Sequence, residues 1–192
     1  MRNAFIKSAG LFLSSLALIQ TVISREIAPA TAEDWAYKGI QSIYGSHRVP
    51  KLYFGAQSYY TSCGWIDDAA YCQRDHAIFI TTKTIQRSYK FGDSALSYII
   101  AHEYAHALQP NPGHPFAELE ADCLAGFYLD AIPNVVFDER DVIEMASITY
   151  QTGDFSRHTP HGTPEQRTNQ LLKGIAASQQ YGTQGIQLCY YQ

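Results

Sequence analysis

The pentapeptide His102-Glu103-Tyr104-Ala105-His106 constrains this chain more than any other stretch. It lies inside residues 93–109, where Ala95, Leu96, Ile99, Ile100, Ala101 and Leu108 leave almost no polar face. A helix that is apolar on most sides is buried. Two imidazoles and a carboxylate inside such a helix are costly unless other elements bring them partners. The fold therefore has to wrap this helix and deliver polar groups to one point on it. Residues i and i+4 project from one helix face, so His102 and His106 can grip a single metal ion. Glu103, about 100° round the helix, stands beside that ion rather than on it. There a carboxylate can take a proton from a metal-bound water. The plain alternative is two histidines satisfied by hydrogen bonds on an ordinary amphipathic helix.

A catalytic zinc takes three protein ligands and leaves a fourth position for water. His114, Glu118 and Glu120 compete to be the third. The metzincin pattern H-E-x-x-H-x-x-G-x-x-H would need glycine at 109 and histidine at 112, where the chain has Gln109 and Pro112. Glu118 and Glu120 share a helix expected over 115–131, but they stand about 200° apart around it, so only one can reach the metal. Glu118 is favoured because Asp122, one turn on, shares its face. A Glu-x-x-x-Asp pair supplies a ligand and also an acceptor for the outer N–H of a bound imidazole. Glu120 is then expected to face solvent or to pair with a cation. Ala121 and Ala125 are small enough to let the two helices approach closely. His161, just before a helix start, is a candidate donor to the oxyanion of a hydrolysed carbonyl. Arg167 is a candidate clamp on Asp122 or Glu118. Capping and surface charge are the alternative for both.

The 192 residues suffice for one domain with a sizeable core, and a net charge of −4 carries no electrostatic footprint for nucleic acid. Arg2 and Lys7 precede an apolar run over 9–19. That run is short for a membrane span and right for a secretory signal, with cleavage after Ser24 or Ala30. The expected division is a signal over 1–24 and a metal-binding domain over 31–192. The alternative is an uncleaved anchor. No second apolar run follows, so the mature chain is expected to be secreted or periplasmic, without a stable membrane span. An oxidising compartment makes the four cysteines a disulfide set. Cys63 and Cys72 flank a turn-like stretch and are expected to pair. Cys123 with Cys189 would tie the tail to the body. No C-x-x-C pair points to a cysteine metal site.

Along the rest of the chain, a helix is expected from a Thr31 cap, with Trp35, Ile40, Ile43 and Tyr44 as its stripe and Gly45 at its end. A short strand over 49–54 precedes a loop-like stretch over 55–72. Residues 76–81 read as an edge strand, along which an extended peptide can add itself. Asp93 is the expected cap of the metal helix, and Pro115 opens the next one. Residues 138–151, closed by Gly153, read as a third helix of the body. Thr163, Pro164 and Gln166 form a capping-box start for a fourth. The expected class is α+β: a small, mostly antiparallel sheet against a helical body that carries the metal.

Over residues 53–173 the chain resembles the bacterial neutral zinc metallopeptidase family. The residues that carry the likeness are Cys63-Gly64, Tyr71-Cys72, Asp75, Ile78-Phe79-Ile80, the pentapeptide, the run from Glu118 through Asp122 to Gly126, and His161 through Arg167. Gln73 stands where proline is usual after the second cysteine. The resemblance implies a single zincin-like domain with a gluzincin-like site, in which Glu118 is the third ligand of Zn2+. It also implies hydrolysis of peptide bonds in peptide or protein substrates, with Glu103 as general base. The rival expectation is a zinc-stabilised binding module of the cell envelope with no enzymatic activity. Against it, a structural site has no use for Glu103 and closes its fourth position.

Overall fold

In the structure, a computed structural model, residues 32–44, 49–154 and 161–191 are described. The proposed signal, the Thr31 cap and Gly45 lie outside them. A π-helical turn, Glu33–Lys38, runs into helix α1, Gly39–Tyr44. Five short strands follow: β1 (Lys51–Phe54), β2 (Tyr59–Thr61), β3 (Gly64–Ile66), β4 (Ala69–Cys72) and β5 (Ala77–Ile80). The helical body is α2 (Thr82–Ser88), α3 (Asp93–Leu108), α4 (Ala117–Asp130), α5 (Glu139–Thr152) and α6 (Pro164–Tyr181), closed by a 3-10 turn over Gly182–Cys189. The class is α+β. Among the described residues no helix is long and apolar enough to cross a membrane.

The main sheet is mixed. Its order is β1-β5-β4, with β5 parallel to β1 and antiparallel to β4, while β2 and β3 form a separate antiparallel hairpin. The strand expected at an edge is therefore the central one. All four β5 residues are buried, because both faces are covered. Ile78 and Ile80 join the core shared with the helices, whereas Ala77 and Phe79 pack with Ile66 and Tyr59 of the hairpin. A strand buried on both sides carries an unbroken apolar run rather than an alternating one. The edge strands are β1 and β4, the latter in the stretch that reads as loop from sequence. Both expected disulfides form, Cys63–Cys72 across the hairpin turn and β4, and Cys123–Cys189 from α4 to the 3-10 turn.

Helix α3 is buried from Asp93 to Ala105. Its cap differs from expectation. Gly92, at φ 120°, occupies the cap position, and a Cβ there would collide with the Glu144 carboxylate. Glu144 of α5 accepts the Ser94 N–H at 3.1 Å, and Asp141 accepts the Ser94 hydroxyl at 2.6 Å. Two carboxylates from another helix thus answer the positive end of α3. Helix α4 starts at Ala117, beyond Pro115. Helices α5 and α6 begin with the capping boxes of Asp138 with Asp141 and of Thr163 with Gln166. Helix α6 packs closely on α4, since a Cβ at Gly126 or Gly174 would strike the backbone of the facing helix.

Candidate metal centre

Helix α3 presents His102 and His106 toward α4, and α4 answers with Glu118. The three form a group able to hold a metal ion. His102 Nε2 lies 3.2 Å from Glu118 Oε2 and 3.2 Å from His106 Nε2, and His106 Nε2 lies 3.5 Å from Glu118 Oε1. The rings stand at 88° to each other, and both turn Nε2 toward Glu118. The four-residue spacing that puts two histidines on one face explains the first pair. The short 109–116 connection, followed by Ala121 and Ala125 in the helix contact, brings up the third residue.

The outer nitrogens are held as well. Asp122 Oδ1 lies 2.9 Å from His102 Nδ1. Asp122 also accepts from the Tyr98 hydroxyl and from Arg167, whose Nε and Nη2 donate at 2.8 Å each. Arg167 Nη1 donates to the Thr152 carbonyl at 3.1 Å. Asp122, Arg167 and Tyr98 are all buried. Burial pushes the Asp122 carboxyl up, but the Arg167 charge and hydrogen bonds outweigh it and hold the group below its ordinary range. His106 Nδ1 faces Gln109 Oε1 at 2.8 Å. Gln109 has no role in the site as read from sequence. Its one signal is its place, three residues after His106 at the helix end.

The local field favours a cation. Burial opposes the charge on His102, yet Asp122 and Glu118 raise its pKa to about 10. Glu118 is likewise pressed up by burial, but His102, His106 and Arg167 drive it far below the usual carboxylate range. With Nδ1 of each ring turned to an acceptor, both Nε2 atoms face each other and Glu118, and two imidazoles with one carboxylate are donors suited to a metal ion.

Glu103 does not join this cluster. It is buried, and desolvation raises its pKa, with the Glu118 charge adding to the rise and the two histidines and the Tyr71 N–H opposing it. It lines two neighbouring cavities, of about 510 and 560 Å³, together with His102, Glu118 and the exposed His161. One extends past Tyr71, Gln73 and Pro112, the other past Asp68, Arg87 and Gln151. Ala69 of β4 borders both. Asp68 accepts the Thr81 N–H at 3.3 Å, so alternation along the antiparallel pair turns the backbone groups of Ala69 and Tyr71 to the open edge. Glu120 is buried rather than solvent-facing, and pairs with His114 and Gln109. No family model, curated protein or solved structure matches the chain.

Proposed function

We propose that the chain is an exported zinc metallopeptidase, a single zincin-like domain of the neutral zinc metallopeptidase type. The observation that carries this is the convergence of two imidazole Nε2 atoms and one carboxylate, each imidazole held from behind, with a separate buried carboxylate next to them in a cleft. Bonds of about 2.0–2.1 Å to a tetrahedral ion place neighbouring donors about 3.3–3.4 Å apart. The spacings of 3.2, 3.2 and 3.5 Å fit that figure. His102, His106 and Glu118 would hold the ion.

Bound there, zinc supplies Lewis acidity that lowers the pKa of water and polarises a carbonyl. The remaining work belongs to the chain. Glu103 accepts the proton of the attacking water on its carboxylate and passes it to the departing amine. Ala69 and the Tyr71 carbonyl offer edge groups on which an extended peptide lies as an added strand. His161, on the rim of both cavities, serves as donor to the developing oxyanion. Two disulfides accord with an oxidising destination.

The test is metal analysis of the purified protein, followed by digestion of an unstructured casein-like substrate with and without chelator. Stoichiometric zinc and chelator-sensitive cleavage are expected. Glu103→Gln should keep the zinc and lose about 10²–10⁴-fold in turnover. Bound zinc with no cleavage across broad peptide libraries would favour a zinc-stabilised binding module instead.

A further inference from the structure

We infer that Gln109 and Glu120 are positioning residues for His106, fixing its tautomer and aiming its Nε2 at the cluster. The inference rests on reading His102, His106 and Glu118 as a metal site and extends it to the side of His106 that Asp122 does not reach.

The Gln109 amide has only one good orientation. Gln109 is buried at the end of α3. Its Nε2 donates to the Ala117 carbonyl at 2.8 Å and to Glu120 Oε2 at 3.3 Å. Turned over, the same amide would press its oxygen against a carbonyl and a carboxylate, both acceptors. The two acceptors therefore decide which end faces His106, and that end is Oε1, at 2.8 Å from Nδ1. An amide oxygen only accepts, so His106 Nδ1 must carry the hydrogen. A neutral imidazole with Nδ1–H has its lone pair on Nε2, the atom facing His102 and Glu118.

Glu120 is held in turn. The Phe116 N–H donates to His114 Nδ1 at 3.2 Å, which leaves the ring hydrogen on Nε2, directed at Glu120. Every link points the same way: His106 and His114 donate inward, Gln109 passes the polarity on, and Glu120 is the common acceptor. The same four residues span the 109–116 connection between the helix bearing two ligands and the helix bearing the third. The two halves of the centre differ in kind. A carboxylate clamped by Arg167 backs His102, and a neutral amide aimed by a carboxylate backs His106.

The test is zinc titration against a chromophoric chelator, with thermal unfolding of each zinc-free variant alongside. Gln109→Ala should weaken zinc binding by about 10–100-fold. Glu120→Ala should weaken it less. The double variant should bind no worse than Gln109→Ala, because Glu120 acts through Gln109. Unchanged affinity in Gln109→Ala, or additive losses in the double variant, would overturn the inference while leaving the metal site standing. Wild-type protein that takes up no zinc would remove the metal reading itself. Should the variants fail to fold, imidazole 15N spectra of the zinc-loaded wild type decide. His106 protonated at Nδ1 and bound through Nε2 is expected, and binding through Nδ1 overturns the proposal.

Discussion

Asp122 and Arg167 form a two-pronged pair inside the protein, with Nε and Nη2 of the arginine each 2.8 Å from a carboxylate oxygen. Forty-five residues of chain separate them, and the pair joins α4 to α6 beneath His102. Removing one member of a buried pair leaves an uncompensated charge, at a cost of about 3–5 kcal/mol. Arg167→Met should lower stability by that order in urea unfolding. It should also release His102 from its fixed ring plane, seen as weakened metal binding in whatever protein remains folded.

Metal should stabilise the fold by mass action. With zinc about 100-fold above its dissociation constant, the gain is about 2.7 kcal/mol. A chelator should reverse the rise in thermal midpoint. His102→Ala or Glu118→Ala should abolish it, and a rise that survives either change places the ion elsewhere.

Helices α4 and α6 meet through glycines. A methyl at Gly174 would collide with the Cys123 carbonyl, and one at Gly126 with the Leu171 carbonyl. Backbone cannot give way as a side chain does, so Gly174→Ala should cost about 1–3 kcal/mol or more in denaturant unfolding. Gly55, whose Cβ would meet nothing, lies outside any such contact.

Acid sensitivity has a local contributor in Asp68. Burial raises this carboxyl, but the Thr84 hydroxyl, the Arg87 guanidinium and the Ala69 N–H more than offset it, so its folded pKa lies below the ordinary 3.8. A depressed carboxyl contributes stability that is complete above its unfolded value and fades as pH falls through the folded one. The group is a third exposed, so the contribution is screened and small. Asp68→Asn should flatten stability against pH below about 4, with little change in slope near neutrality. An unaltered acid limb would show that Asp68 contributes nothing there.

Long apolar periods and capping chemistry were legible in the sequence. The all-round apolar character of residues 95–108 foretold a buried α3, and Thr163-Pro164-Glu165-Gln166 foretold the start of α6. The Glu118 and Asp122 spacing foretold a shared face, because helical geometry is local. Pairing of distant short strands is not local. Strands β2 and β3 are three residues each, and Ala69–Cys72 has no β-branched residue, so no period could appear in them. Helix α2 is seven mostly polar residues and left no stripe. Glu144 capping α3 from 50 positions away is a tertiary fact with no signature in neighbouring letters, and the side-chain turn that brings Gln109 to His106 is set by Ala117 and Glu120 of the next helix. Glu120 reads as a surface charge because its partner His114 belongs to a connecting loop whose path no pattern specifies.

The Cys123–Cys189 bond spans 66 positions and fastens the helix bearing Glu118 and Asp122 to the 3-10 turn near the end of the described chain. On an emerging polypeptide, both imidazoles and both carboxylates exist well before Arg167 arrives, and before Cys189 can be oxidised against its mate. Completion of the cluster's surroundings thereby waits until residue 189 has been added, and its final stitch requires an oxidant. A chain kept in a reducing cytoplasm, or stalled short of residue 167, would carry every donor atom and still lack the scaffold that aligns them.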